Sequence, residues 1–158
     1  MGNSPVTAVI SSGALRGYRE LVRELGGNPT PLLRRLRIEP SSLDDEDAMI
    51  PAGAHIHLME LSAKTLECPD FGLRLGSRQD ISILGPLALA MRHSRTAGAA
   101  IQCASRRLFV QTQAVALTVL PKSPQAPQLT ELRVELVHGV HAVTRQFTDH
   151  SLAALVHP

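Results

Sequence analysis

Four histidines stand at two short spacings that could hold a metal: His55 and His57 as H-x-H, His138 and His141 as H-x-x-H. Imidazole is the commonest metal-binding side chain. On a helix, however, an H-x-H pair directs its rings about 200° apart, and no Cys or carboxylate sits at a companion spacing. The four are read as surface or partly buried histidines, with no metal. Asp44, Asp45, Glu46 and Asp47 form a run of carboxylates. The run lacks the glycine and the terminal glutamate of a calcium loop, so it reads as a solvated acidic loop. Arg34, Arg35 and Arg37, and later Arg106 and Arg107, are small basic clusters. No aromatic side chains are interleaved with them for base stacking, and they read as solvated helix faces. No G-x-S-x-G, P-loop or G-x-G-x-x-G is present. The residues therefore point to no catalytic site, no cofactor and no enzyme.

The composition supports a packed core. Of 158 residues, 44% are hydrophobic and 19% charged, which fits one globular domain. Aromatics are only 3%, without Trp, so Leu, Val, Ile and Ala must build the interior. A net charge of +2 is too small to imply nucleic-acid binding by this chain. Cys68 and Cys103 read as reduced, small, buried hydrophobes, too few for a disulfide scaffold. No run approaches the roughly 20 apolar residues of a membrane span, and the first residues carry no secretory pattern. A cytoplasmic location is expected.

The elements that would position any site can be read from periodicity. Residues 1–12 read as a flexible lead-in, with Ser12 capping a helix that starts near Gly13. Leu15, Tyr18, Leu21, Val22 and Leu25 supply its apolar stripe, and Gly26-Gly27 ends it. Thr30-Pro31 predicts a short second helix. A third is expected from near Pro51, with Ala52, Ile56, Met59, Ala63 and Leu66 inward. Asp70 would cap a brief helix burying Phe71, Leu73 and Leu75. Residues 81–91 are apolar nearly all round and should form the most buried helix. Thr96 would cap the next, with Ala100, Ile101, Ala104 and Leu108 inward.

Beyond Phe109 the period changes to two. Val115, Leu117 and Val119 alternate with smaller residues; Leu132, Val134 and Leu136 alternate with Glu131, Arg133 and Glu135. Such runs predict antiparallel strands. Two strands make a poor sheet, so the expectation combines two readings: further strands near residues 48–50, and a sheet left incomplete where the chain ends. Gly139 would break the second strand, and a weakly periodic helix would close the chain. The fold class is α+β: a helical layer packed on a small antiparallel sheet, in a single domain. The apolar segment from Phe71 to Phe109, with small residues between large ones, fits either a plain core or the wall of a ligand cavity; periodicity does not separate the two.

Several strings in this chain resemble one family. Leu25-Gly26 with Pro31-Leu32-Leu33-Arg34-Arg35, then Cys68-Pro69-Asp70-Phe71-Gly72-Leu73-Arg74-Leu75-Gly76, then Ile83-Leu84-Gly85-Pro86-Leu87 and Ser94 to Thr96, are similar to the N-terminal, arabinose-binding-like effector domain of AraC-family transcription regulators, of the VirS and OruR type. The likeness covers most of residues 13–137. It implies a ligand-sensing regulatory domain that takes a small hydrophobic or amphipathic effector, and it admits a homodimer. In the family a separate C-terminal helix-turn-helix domain reads DNA; this chain, ending at Pro158, is expected to lack it. The expected division is a lead-in over 1–12 and an effector-sensing and dimerisation domain over 13–158, with no membrane contact. The alternative is a dimerisation or protein-interaction module, or a truncated regulator without DNA binding, with the terminal segment 140–156 as its contact helix. Family likeness and apolar density together nominate Phe71, Leu84, Leu87, Met91, Ile101 and Phe109 as pocket residues. One departure bears on pocket polarity: the family commonly has a Tyr after the Arg ending the Thr96 helix, and here Arg107 follows Arg106.

Overall fold

The computed structural model describes residues 8–120, 122, 126, 128–136 and 144–156. The expected H-x-x-H pair, His138 and His141, lies outside them, as does Gly139. The elements run β1 (Val9–Ser11), α1 (Tyr18–Glu24), α2 (Pro29–Arg35), β2 (Met49–Pro51), α3 (Ala52–Thr65), α4 (Phe71–Gly76), α5 (Pro86–Arg92), α6 (Ala97–Arg107), β3 (Val115–Leu120), β4 (Glu131–Leu136) and α7 (Arg145–Val156). The class is α+β, with two antiparallel two-stranded sheets among the described residues. No described helix is long and apolar enough to cross a membrane.

The sheets are joined through β1. Ile10 faces Ile50 in the β1–β2 ladder, and on its other edge β1 bridges from Ile10 to Thr112. There Ser11 N donates to Gln111 O (2.9 Å) and Gln113 N to Val9 O (2.9 Å). Residues 111–113 lead directly into β3, which pairs with β4 in the register Val115–Leu136, Leu117–Val134, Val119–Leu132. Residues 9–11 are thus part of the sheet structure, with Ile10 buried, although the sequence reads as a lead-in there.

Most helix boundaries follow local chemistry. Thr96 Oγ1 accepts from Ala99 N (3.1 Å) and starts α6. Asn28, not Thr30, caps α2, its Oδ1 accepting from Thr30 N (3.1 Å) with Pro29 at the first position. The first helix starts later than expected: Ser12–Leu15 is a 3₁₀ turn, and Gly17 at φ 79° separates it from α1. Helices α1, α2 and α3 all end on a left-handed residue, Gly26, Arg37 and Glu67 respectively. At α2 and α3 the following amide closes the turn, Ile38 N to Leu33 O and Cys68 N to Ala63 O.

Residues 81–91 are not one buried helix. Ile81–Leu84 is a 3₁₀ turn, Gly85 at φ 52° turns the chain, and Pro86 begins α5. Leu89 is exposed, and no residue of the 81–84 turn is fully buried. The deepest packing belongs to α1, α3 and α4. Tyr18 meets Phe71 edge to face at 5.9 Å; each such buried ring contributes about 1.5–3 kcal/mol. Ser62 Oγ donates to Leu58 O (2.7 Å), so the Tyr18 hydroxyl donates to Ser62 (2.9 Å). Burial pushes the Tyr18 phenol up to about 12, keeping it a donor.

Helix α4 lies against α7 through two glycines one turn apart. A Cβ on Gly72 would sit 2.0 Å from Gln146 O, and one on Gly76 2.5 Å from His150 O. Gln146 completes the joint: its Oε1 accepts from Gly72 N (2.8 Å) and its Nε2 donates to Pro69 O (2.8 Å). Glu60 of α3 accepts from Gln146 N (2.8 Å), serving an amide that the first turn of α7 leaves unpaired. Leu73, expected inward, is half exposed because the glycine face of α4 is the one that packs. A second, smaller core forms around Leu87, Met91, Ala104 and Leu117.

Candidate functional site

Between the main core and the smaller one lies a cavity of about 300 Å³. Ile10 and Ala14 line it from the start of the fold. Ile81, Ile83 and Leu84 of the 3₁₀ turn, Met91 of α5, and Ile101 and Ala104 of α6 form the helical wall. Val115 and Leu117 of β3 and Leu132 and Val134 of β4 form the sheet wall. Phe147, His150, Ser151 and Ala154 of α7 close it. Among the described residues no Asp, Glu, Lys or Arg lines it, and the polar side chains on its wall are Thr112, His150 and Ser151. A mostly apolar concavity with a few polar groups is the ordinary form of a small-molecule site.

The polar groups are specifically held. Thr112 Oγ1 accepts from Ala114 N (3.1 Å). Ser151 Oγ donates to Phe147 O (2.8 Å). Gln79 Nε2 donates to both Ala14 O (3.1 Å) and Arg16 O (2.8 Å), which fixes its amide. Its Oε1 must then accept, so His150 Nε2, 2.7 Å away, carries the proton. His150 Nδ1 is buried with no partner among the described residues. Burial pushes His150 down to about 4, so the ring is neutral near pH 7.

Behind His150 stands His55 on α3, fully buried, with neither ring nitrogen partnered among the described residues. It contacts Phe147 (5.6 Å) and His150 (5.9 Å) edge to face. Burial first, and His150 second, push it down to about 3. His57 is exposed, so the H-x-H pair splits between core and solvent, as helical geometry requires. His55 is more deeply buried than the sequence reading assumed.

Arg16 secures the rim. Its guanidinium makes a bidentate pair with Glu46 and donates to Ser82 Oγ (2.6 Å), tying the acidic loop to the 81–84 turn. Arg19 pairs with Asp44 (2.5 Å). Two members of the acidic run are therefore held by arginines. The Arg16 guanidinium holds the Glu46 carboxyl below its usual range. Among the described residues no group of three His, Cys, Asp or Glu is placed to hold a metal. Cys68 and Cys103 are both free.

Of the six nominated pocket residues, Leu84, Met91 and Ile101 line this cavity. Leu87 is buried in the smaller core beside it. Phe71 is buried in the main core against Tyr18, away from the cavity wall. Phe109, in the 3₁₀ turn after α6, is 67% exposed. The sequence reading missed the walls from the strands and α7. Phe147, His150, Ser151 and Ala154 stand at i, i+3, i+4 and i+7, a helical stripe visible in the string. Ile10 had no such signal, coming from a strand of three residues.

Residues 26–157 match the family described as the arabinose-binding domain of AraC transcription regulator, N-term. The chain is 41% identical over 112 residues to the HTH-type transcriptional regulator VirS of Mycobacterium tuberculosis, in both strain CDC 1551 / Oshkosh and strain ATCC 25618 / H37Rv. The alignments cover 71% of this chain and 33% of each relative, so the chain spans about a third of the length of the curated relatives it matches. The chain belongs to the family of N-terminal arabinose-binding domains of AraC transcription regulators.

Proposed function

We propose that this chain is the effector-sensing domain of an AraC-type transcription regulator, and that the cavity between its two cores receives a small hydrophobic or amphipathic effector. The observation that carries the reading is the cavity itself: apolar on nearly every side and walled by segments from both ends of the domain. A guest there touches Ile10 and Ala14 at one end of the chain and α7 at the other. It therefore favours whichever arrangement of α7 closes best around it, and such a population shift is how a ligand would bias an attached DNA-binding domain. DNA is met through that further domain, in the cytoplasm, and no residue here takes a catalytic role.

Self-association through segment 140–156 is the second reading. On α7, Phe147, His150 and Ala153 are buried while Arg145, Thr148 and Leu152 are exposed; residues 140–143 of the segment lie outside the described residues.

A thermal-shift screen of fatty acids, aromatic acids, phenols and amino acids tests the proposal. A ligand at one hundred times its Kd raises stability by about 2.7 kcal/mol. A panel that leaves the melting temperature unmoved throughout contradicts it.

A further inference from the structure

Strand β4 lies at the end of the sheet structure. On one side it pairs with β3 along its whole length, and beyond β3 the pairing continues at Thr112 to β1 and then to β2. On the other side, no backbone group of residues 132–136 bonds to any described segment. Such an edge presents a row of N–H and C=O groups that can template one more strand. Its side chains carry a pattern. Leu132, Val134 and Leu136 lie on the face turned to the cavity and to α7. Arg133 and Glu135 lie on the opposite face and are exposed. Their neighbours across the ladder in β3 are Thr118 and Ala116, which hold no charge. Arg133 instead meets Glu131 of its own strand, at 2.9 Å.

We propose that β4 pairs edge to edge with β4 of a second copy of this chain, antiparallel and centred on Val134. Side chains alternate between the two faces of a strand, so a two-fold pairing that keeps apolar opposite apolar must centre on a residue and not between two. A centre on Arg133 or on Glu135 sets that residue against its own copy, like charge to like. A centre on Leu132 or Leu136 leaves much of each strand without a neighbour. Centred on Val134, Arg133 of each copy stands opposite Glu135 of the other, Leu132 stands opposite Leu136, and Val134 meets its own copy on the axis. The charge pattern of the edge is thus complementary to itself, whereas a row of one sign would repel a copy. The product is a four-stranded sheet in the order β3-β4-β4-β3, in place of a marginal ribbon of two. It covers Leu132, 38% exposed in the single chain. The surface is separate from segment 140–156 and does not depend on what the cavity holds. Two strands of this length make a small interface, so a weak, reversible dimer is expected.

Sedimentation equilibrium of the chain, from micromolar to near-millimolar concentration, tests it with two charge variants and their mixture. The wild-type chain should pass reversibly from monomer to dimer. Arg133→Glu and Glu135→Arg each set like charges opposite one another and should weaken the dimer about tenfold. An equimolar mixture of the two variants restores opposite charges at both positions, so its heterodimer should be at least as strong as the wild-type pair. Both positions are exposed and face uncharged residues of β3, so the fold should hold, which an unchanged circular-dichroism spectrum checks. A measurement free of substitution stands beside these: in a mixture of differently isotope-labelled wild-type chains, interchain nuclear Overhauser contacts should join Leu132 to Leu136 and Val134 to its own copy. A monomer at every concentration overturns the proposal. So does a dimer whose strength the variants and their mixture leave unchanged, or one whose interchain contacts come from α7 alone.

Discussion

Gly72 of α4 lies so close to Gln146 of α7 that a single added Cβ would stand 2.0 Å from the Gln146 carbonyl oxygen. The obstruction is backbone, which cannot swing aside. Gly72→Ala is therefore expected to lower unfolding stability by about 1–3 kcal/mol, or more if α7 must move. Gly98→Ala in α6 meets nothing within 4 Å and should be neutral to slightly stabilising. Urea denaturation of the two variants checks the contrast. Equal effects would remove the close α4–α7 joint from the account.

That joint also shows what the sequence conveyed. The D-F-G-L-R-L-G string was readable as a helix and as a family likeness, but its glycines acquire a reason only once α7 is laid on them. Periodicity found α3, α6, β3 and β4, because each buries one face against one neighbour. It failed for residues 81–91, which read as one deeply buried helix. Gly85 at positive φ divides them, and Ile81, Ile83 and Leu84 are apolar because they face a cavity. A residue beside an empty apolar space and a residue in a packed core have the same side-chain type, so Leu84, Met91 and Ile101 were as legible as Phe71 and Phe109, and no more. Strand β1 was invisible because three residues carry no period, and its register depends on partners about 40 and 100 residues away. The roles of His55 and His150 depend on helix packing and could not be read from spacing.

The paired histidines give acid sensitivity with a definite sign. In the unfolded chain His55 and His150 titrate near the ordinary value of about 6.5; folded, they sit at about 3 and about 4. Between pH 6.5 and 4 the unfolded state binds protons that the folded state does not. Stability should therefore fall as pH falls through that window, by up to about 1.4 kcal/mol per pH unit for each ring, and should be indifferent to them above pH 7. His55→Leu should reduce the slope by about half, measured as unfolding free energy against pH. An unchanged slope would show that His55 is not buried neutral.

The Gln79 amide joins three parts of the chain, with contacts to Ala14, Arg16 and His150. Gln79→Leu keeps the volume but leaves two carbonyls and the His150 Nε2 proton unmatched. A loss of about 2–4 kcal/mol is expected by chemical denaturation, given about 1–3 kcal/mol for each buried group left unpaired and some relief by water. A loss below about 0.5 kcal/mol would mean these bonds do not hold α7 to the start of the fold.

Glu67 ends α3 in a left-handed conformation, φ 50°, that costs a side-chain-bearing residue free energy. Glu67→Gly should raise stability by about 0.5–1 kcal/mol, because glycine adopts that conformation without a Cβ clash. Thermal unfolding checks it. Destabilisation would indicate that the Glu67 side chain has a role its backbone does not reveal.

The claim on which the functional reading depends is that the space between the two cores receives a guest. Ile101 lines that space, whereas Leu89 is exposed on α5 and does not line it. The most direct measurement is the concentration-dependent shift in melting temperature produced by 4-propylphenol on the wild-type chain, on Ile101→Trp, which fills the cavity, and on Leu89→Trp, which does not. The account requires a rising melting temperature in wild type and Leu89→Trp and none in Ile101→Trp. An equal shift in all three proteins, or in none of them, would contradict it.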